Sequence, residues 1–198
     1  MQTAPPGRNV LALLLVLNGG MFVVELVAGF RAESMGLIAD GLDMGADAAV
    51  YLLALLAVGA SAHRKLSAAR FAGVVQFGLA ALAAGEIGRR ILFGSAPESD
   101  VMIGVSLVAL AANVTCLALL RRHRHGEVHL QAAWIFSATD VQANLGVMLA
   151  GALVALTGSA VPDLVIGLLI VGIVLRGAIR IWRRVQREAM TLRQGTLG

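Results

Sequence analysis

Apolar residues in this chain run in long unbroken blocks, not in the stripes of an amphipathic helix or the alternation of a half-buried strand. The blocks lie at 10–30, 37–59, 71–89, 101–120, 132–156 and 162–181. About 20 helical residues cross the hydrocarbon core of a bilayer, so blocks of this length predict transmembrane spans. Backbone N–H and C=O groups find no water in lipid and must be satisfied within the segment, which makes each span a helix. The pattern therefore predicts an all-α integral membrane protein of six transmembrane helices. It is read as a single transmembrane domain over 1–198 with no separate soluble domain, because the stretch after 181 is too short to build one. The first block runs on too long for a signal-peptide core, and no small-residue cleavage site precedes a soluble domain, so it is read as a span. Gly19, Gly20, Gly41 and Gly45 fall inside spans, where small residues let helix backbones approach closely.

Composition agrees. The chain of 198 residues is 58% hydrophobic and only 14% charged, against about 25% charged in soluble domains. Its net charge of +4 does not point to nucleic acid, since basic flanks on an apolar chain report topology. The second and fourth connections carry His63, Arg64, Lys65 and Arg70, then Arg121, Arg122 and Arg124, and the tail carries Arg180, Arg183, Arg184, Arg187 and Arg193. The opposite side has Arg31, Arg89 and Arg90. The positive-inside bias puts both termini in the cytoplasm of a multi-pass protein of the cell's inner membrane, the outcome an even number of spans requires. A single cysteine, Cys116, sits inside an apolar block, so no disulfide framework exists.

The acids inside spans carry the chemistry. An ionisable side chain at mid-membrane costs roughly 2.5–3.5 kcal/mol on insertion scales and is a functional candidate by default. The second span reads Ala39-Asp40-Gly41-Leu42-Asp43-Met44-Gly45-Ala46-Asp47. At about 100° per residue, Asp40, Asp43 and Asp47 lie within about 60° of one another. Three carboxylates on one helix face repel one another unless protonated or bridged by a cation. Asp40, nearest the membrane edge, could equally cap the helix start. The fifth span supplies Asp140, with Ser137 one turn before it and Asn144 one turn after, all on one face. Asp43, Asp47 and Asp140 together would form a three-carboxylate cluster between two helices, which suits a divalent cation with its need for deprotonated ligands. Asn18 and Glu25 share a face of the first helix, as outer partners of such a site, a proton path, or an ordinary interhelical hydrogen bond. Glu86 stands three and four residues from Arg89 and Arg90 and reads as a local ion pair. His123, His125 and His129 lie in a basic loop that either solvates itself or hands metal to the site. Cys116 and Tyr51 read as packing residues.

The run Asn18-Gly-Gly-Met-Phe-Val-Val-Glu25, the segment Ala39-Asp-Gly-Leu-Asp43-x-x-x-Asp47-x-x-x-Tyr51 and the segment Ser137-Ala-Thr-Asp140-Val-Gln-Ala-Asn144 resemble the cation diffusion facilitator family. The resemblance covers essentially the whole chain in order, including the turn Thr157-Gly-Ser-x-x-Pro162-Asp163 before the last span. It implies a tetrahedral site built from an Asp or His-x-x-x-Asp pair on the second helix and a similar pair on the fifth. It implies export of zinc, cadmium, cobalt, iron or manganese against an inward proton flow, with no prosthetic group and no catalysis. Carried over by position, the metal ligands are Asp43, Asp47 and Asp140. The fourth position is Phe136, which cannot ligate, so Asn144, Ser137, Asp40 or a water is left to fill it. An all-oxygen set leans away from a zinc-tuned histidine site and toward Mn²⁺ or Fe²⁺. The family's carboxy-terminal cytoplasmic domain, which helps it dimerise, has no counterpart after 181, so the expected homodimer would rest on membrane helices.

Two other readings compete. Membrane CDP-alcohol phosphotransferases also use Asp-rich helices, but their Ala-Arg is missing here and their glycine position before Asp43 is Ala39. A non-transporting or degenerate family member is the other, suggested by Phe136. The topology is directly testable. Cysteines introduced at Arg64 and at Ser95 should react with a membrane-impermeant reagent from opposite sides of the membrane. Labelling of both from one side would refute six spans.

Overall fold

The structure is a computed structural model that describes residues 7–57, 62–121 and 128–195, and all regular structure within them is helical. The helices are α1 (Gly7–Arg31), α2 (Met35–Ala57), α3 (Ala62–Phe93), α4 (Ser99–Leu120), α5 (Val128–Thr157) and α6 (Val161–Gly195). The described part of each apolar block falls inside one helix. The largest extensions are at the start of α3 and the end of α6, where polar and basic residues continue the helix beyond the apolar stretch. Hydropathy marks where lipid is met, not where the backbone hydrogen bonds stop.

Among the described residues five helices, α1 and α3 to α6, are long and apolar enough to cross a membrane. The exception, α2, carries Asp40, Asp43 and Asp47. The fold resolves this by burial within protein. Among the described residues α2 alone touches all five other helices, most extensively α1, then α6 and α3, and only lightly α5 and α4. Every residue from Ser34 to Met44 is buried. The outer helices show lipid their own apolar faces, with Val16, Phe71, Leu82, Leu149 and Leu168 all exposed. Two apolar clusters bracket the polar middle of the bundle. One packs Met35, Ile38 and Leu42 against Val147, Ile170 and Val174. The other packs Leu11 and Leu14 around Tyr51, Cys116 and Leu120.

The close approach of α1 and α2 is made by glycine. A Cβ on Gly41 would lie 3.1 Å from the Cβ of Glu25, and one on Gly45 would lie 2.7 Å from the ring of Phe22. The start of α2 is held from α6. Asp163 accepts hydrogen bonds from the Ser34 hydroxyl at 2.7 Å, from the Gly36 N–H at 2.8 Å and from the Met35 N–H. Ser34 in turn accepts from the Leu37 N–H at 3.2 Å. The leading N–H groups of a helix have no partner within it; here they begin inside the bundle, and Ser34 and Asp163 satisfy them.

The same end of the bundle is stitched by its connections. Glu33 takes a left-handed conformation (φ 48°). Its carbonyl accepts from the buried guanidinium of Arg90, and its carboxylate accepts from the Ala96 N–H at 2.8 Å. Glu98 donates its N–H to the Ala32 carbonyl at 2.9 Å. Glu86 pairs with Arg89 at 2.7 Å and with Arg90 at 2.8 Å.

Replacing Asp163 by Ala strips buried partners from the start of α2, and each unsatisfied buried group costs about 1–3 kcal/mol. The Asp163→Ala protein should unfold in detergent at a clearly lower temperature than the parent, followed by circular dichroism at 222 nm. An unchanged midpoint would show that the clamp does not hold α2.

Candidate functional site

A helix enclosed by protein can carry carboxylates that a lipid-facing helix cannot, and the position of each side chain on α2 then decides what it meets. Asp43 and Asp47, one turn apart, both face a cavity of about 270 Å³ between α2, α3, α5 and α6. Asp140 and Thr139 line it from α5, Gln76 from α3, and Ile173, Val174, Arg176, Gly177 and Arg180 from α6. Asp43 and Asp47, on one helix face by their spacing, and Asp140, expected beside them, all line this one space. The cavity lies at the seam where α2 and α5 barely touch. Arg176 and Arg180 form its rim on the side where α6 runs toward the tail. The opposite side is the stitched end.

The carboxylates share the cavity without converging on one point. Among the described residues, no group of three or more His, Cys, Asp or Glu side chains stands ready to hold one metal ion. One oxygen each of Asp47 and Asp140 is buried with no hydrogen-bond partner.

Asp40 turns away from this cavity. It accepts a hydrogen bond from the Asn144 amide, and Asn144 accepts one from Asn113 of α4 at 3.0 Å. The fully buried carboxyl of Glu25 lies beside Asp40. The result is a polar chain Asn113–Asn144–Asp40–Glu25 running through α4, α5, α2 and α1. Asn144, a candidate fourth ligand by spacing, has both ends of its amide engaged in this chain. Ser137, the other α5 candidate, is buried beside the Tyr51 hydroxyl. Asn18 does not join Glu25; it donates to the Leu14 carbonyl at 2.9 Å and faces the Cys116 sulfur at 4.0 Å. The side chains of Phe136 and His129, and the whole of His123 and His125, lie outside the described residues.

Sequence reasoning overlooked four residues here. Gln76 is the one uncharged polar side chain of the third apolar block, and Asn113 is the one amide of the fourth; an amide in a span is a signal, though a weaker one than an acid. Asp163 was noticed only as part of a turn. Arg176 interrupts the last apolar block, and that interruption was the mark of its place at the rim.

The family model described as the cation efflux transmembrane domain matches residues 11–187. The chain belongs to this family. It is a multi-pass membrane protein, and members of the family are transporters, not enzymes. The zinc transporter ZitB of Escherichia coli (strain K12) is 27% identical over 96% of this chain and 65% of its own length. The metal cation efflux system protein CzcD of Cupriavidus metallidurans is 26% identical over 83% of this chain and 57% of its own length. The zinc transporter ZitB of Yersinia pestis is 24% identical over 87% and 59%. The chain thus spans less than two thirds of the length of these relatives.

The cavity predicts which positions on α6 meet water. A cysteine at Ile173, on the cavity wall, should react with a water-soluble thiol reagent in detergent-free vesicles. A cysteine at Leu169, exposed on the outer face of the same helix, should not. No reaction at Ile173 would show that the cavity is closed to water, and equal reaction at both positions would show that it does not single out this face of α6.

Proposed function

We propose that this chain exports divalent transition-metal cations from the cytoplasm in exchange for protons, by alternating access, with Asp43, Asp47 and Asp140 as the ligands that carry the ion. The observation that carries the reading is the convergence of these three buried carboxylates, from two helices of a membrane bundle, on one cavity. Membership of the cation efflux family supports it, as do relatives named as a zinc transporter and a metal cation efflux protein.

The mechanism follows from the charges. A cation enters past Arg176 and Arg180 on the side of the basic connections, which the positive-inside bias assigns to the cytoplasm. Metal affinity requires deprotonated ligands, so binding releases protons. The lightly packed seam lets α5 close on α2 and gather the carboxylates around the ion. The bundle then rocks so that the stitched end opens and the cytoplasmic mouth shuts. Protons from the far side take the place of the metal on the carboxylates. Because three neighbouring carboxylates in a low dielectric cannot all stay charged and empty, the site exchanges one kind of cation for the other. An all-oxygen donor set is compatible with zinc and also with harder ions such as Mn²⁺ and Fe²⁺. On the family resemblance alone, the reading extends to a homodimer.

Asp43, Asp47 and Asp140 should each be required for transport, and Glu86 should not. Each Asp→Ala replacement removes a charge the ion needs and a site that carries protons. Glu86 is engaged with Arg89 and Arg90 at the stitched end. Metal flux into reconstituted vesicles should fall at least about a hundredfold, the scale reported for loss of groups that merely support a metal ligand, in Asp43→Ala, Asp47→Ala and Asp140→Ala. Flux in Glu86→Ala should stay near the parent's. Parental flux in the three Asp variants, each checked as monodisperse, would place the transport site elsewhere.

A further inference from the structure

Three carboxylates leave a tetrahedral ion one donor short. Phenylalanine cannot supply it at position 136, Asn144 is committed at both ends, and Ser137 sits beside Tyr51. The third helix offers the missing atom. Gln76 lies in the apolar stretch of α3, is only 8% exposed, and lines the same cavity as Asp43, Asp47 and Asp140. Its carbonyl oxygen Oε1 is fully buried and has no hydrogen-bond partner. A buried carbonyl left unsatisfied is costly and calls for an explanation such as an absent ion or water. The other end of the amide is seated against Gly177 of α6, where an added Cβ would come within 3.0 Å of Nε2. Glycine there leaves the slot the side chain occupies.

We propose that the Gln76 carbonyl oxygen is the fourth protein donor to the transported divalent cation, an α3 ligand that completes the set from α2 and α5. This rests on reading the Asp43–Asp47–Asp140 cavity as the transport site. A neutral amide oxygen suits that site in two ways. It adds a donor without adding a fourth negative charge to a buried cluster that already exceeds the charge of the ion. Carbonyl oxygen is also a hard donor of the kind that favours harder divalent ions, in place of the imidazole nitrogen that favours zinc. Gln76 is then a determinant of ion selectivity, and α3 and its partner α6 sense occupancy of the site directly.

The test is Co²⁺ binding to the purified full chain, followed by visible absorption, which reports the number and geometry of donors as well as affinity. Zn²⁺ competition gives the second ion. Gln76→Leu should weaken Co²⁺ binding at least about tenfold, the lower end of the range for groups around a metal ligand, and should change the absorption band. Gln76→Glu keeps an oxygen donor at the same reach and should hold the parental affinity or raise it. Should Gln76→Leu not yield monodisperse protein, Gln76→Asn, which draws the oxygen back by one methylene, carries the same expectation. Gly177→Ala should weaken binding too, by pressing on the amide. The proposal is overturned if Asp140→Asn loses Co²⁺ while the Gln76→Leu or Gln76→Asn protein keeps the parent's affinity and band. A parent without a Co²⁺ band, or Asp140→Asn binding like the parent, overturns the reading of the Asp cavity itself and this proposal with it, a pattern distinct from the first.

Discussion

Carboxylates in a membrane are tolerable only where lipid never reaches them, and the architecture of this bundle follows from that constraint. The second helix carries Asp40, Asp43 and Asp47 within a few turns, so it must be surrounded by protein. The other five helices surround it. Enclosure has a cost at the helix ends, because the leading N–H groups of α2 also lose access to water. Asp163 and Ser34 meet that need from within. One acid at the start of α6 thereby makes it possible for three others to sit farther along α2.

The division of labour among the buried acids follows from which neighbour each one faces. Asp40, near the start of α2, lies beside Glu25 of α1, and Asn144 with Asn113 ties it to α5 and α4. Asp43 and Asp47, farther along α2, line the cavity. The α2–α5 pair is joined on one level by a hydrogen-bonded amide and left open on the next. That combination keeps Asp140 in register with Asp43 and Asp47 while leaving room between them.

Most of this was legible in the sequence where lipid imposes it. The apolar blocks located the six helices, and the four-residue spacing of Asp43 and Asp47 placed both on one helix face. What periodicity does not encode is which neighbour a face meets. Asp40 shares a sequence face with Asp43 and Asp47 but bonds to Asn144, because it stands at a different level of α2, about 10 Å along the axis from Asp47, and meets a different part of α5. Asn144 looked like a ligand because it shares a face with Asp140; the partner that engages its carbonyl, Asn113, is 31 residues away on another helix. Gln76 stood alone in its span with no motif around it, and only the packing of α3 on α6 brings it to the cavity.

The two ends of the bundle differ in how they are closed, and on the transport reading that difference carries direction. At one end Arg90, Glu33, Ala96, Glu98 and Asp163 bind the connections to one another by hydrogen bonds that can be exchanged for water one at a time. At the other, Arg176 and Arg180 stand at an open rim; the only ion pairs among the described residues, those of Glu86 with Arg89 and Arg90, belong to the first end. On that reading the open rim is the side from which the ion reaches the carboxylates, and the stitched end is the side whose hydrogen bonds must part before it can leave.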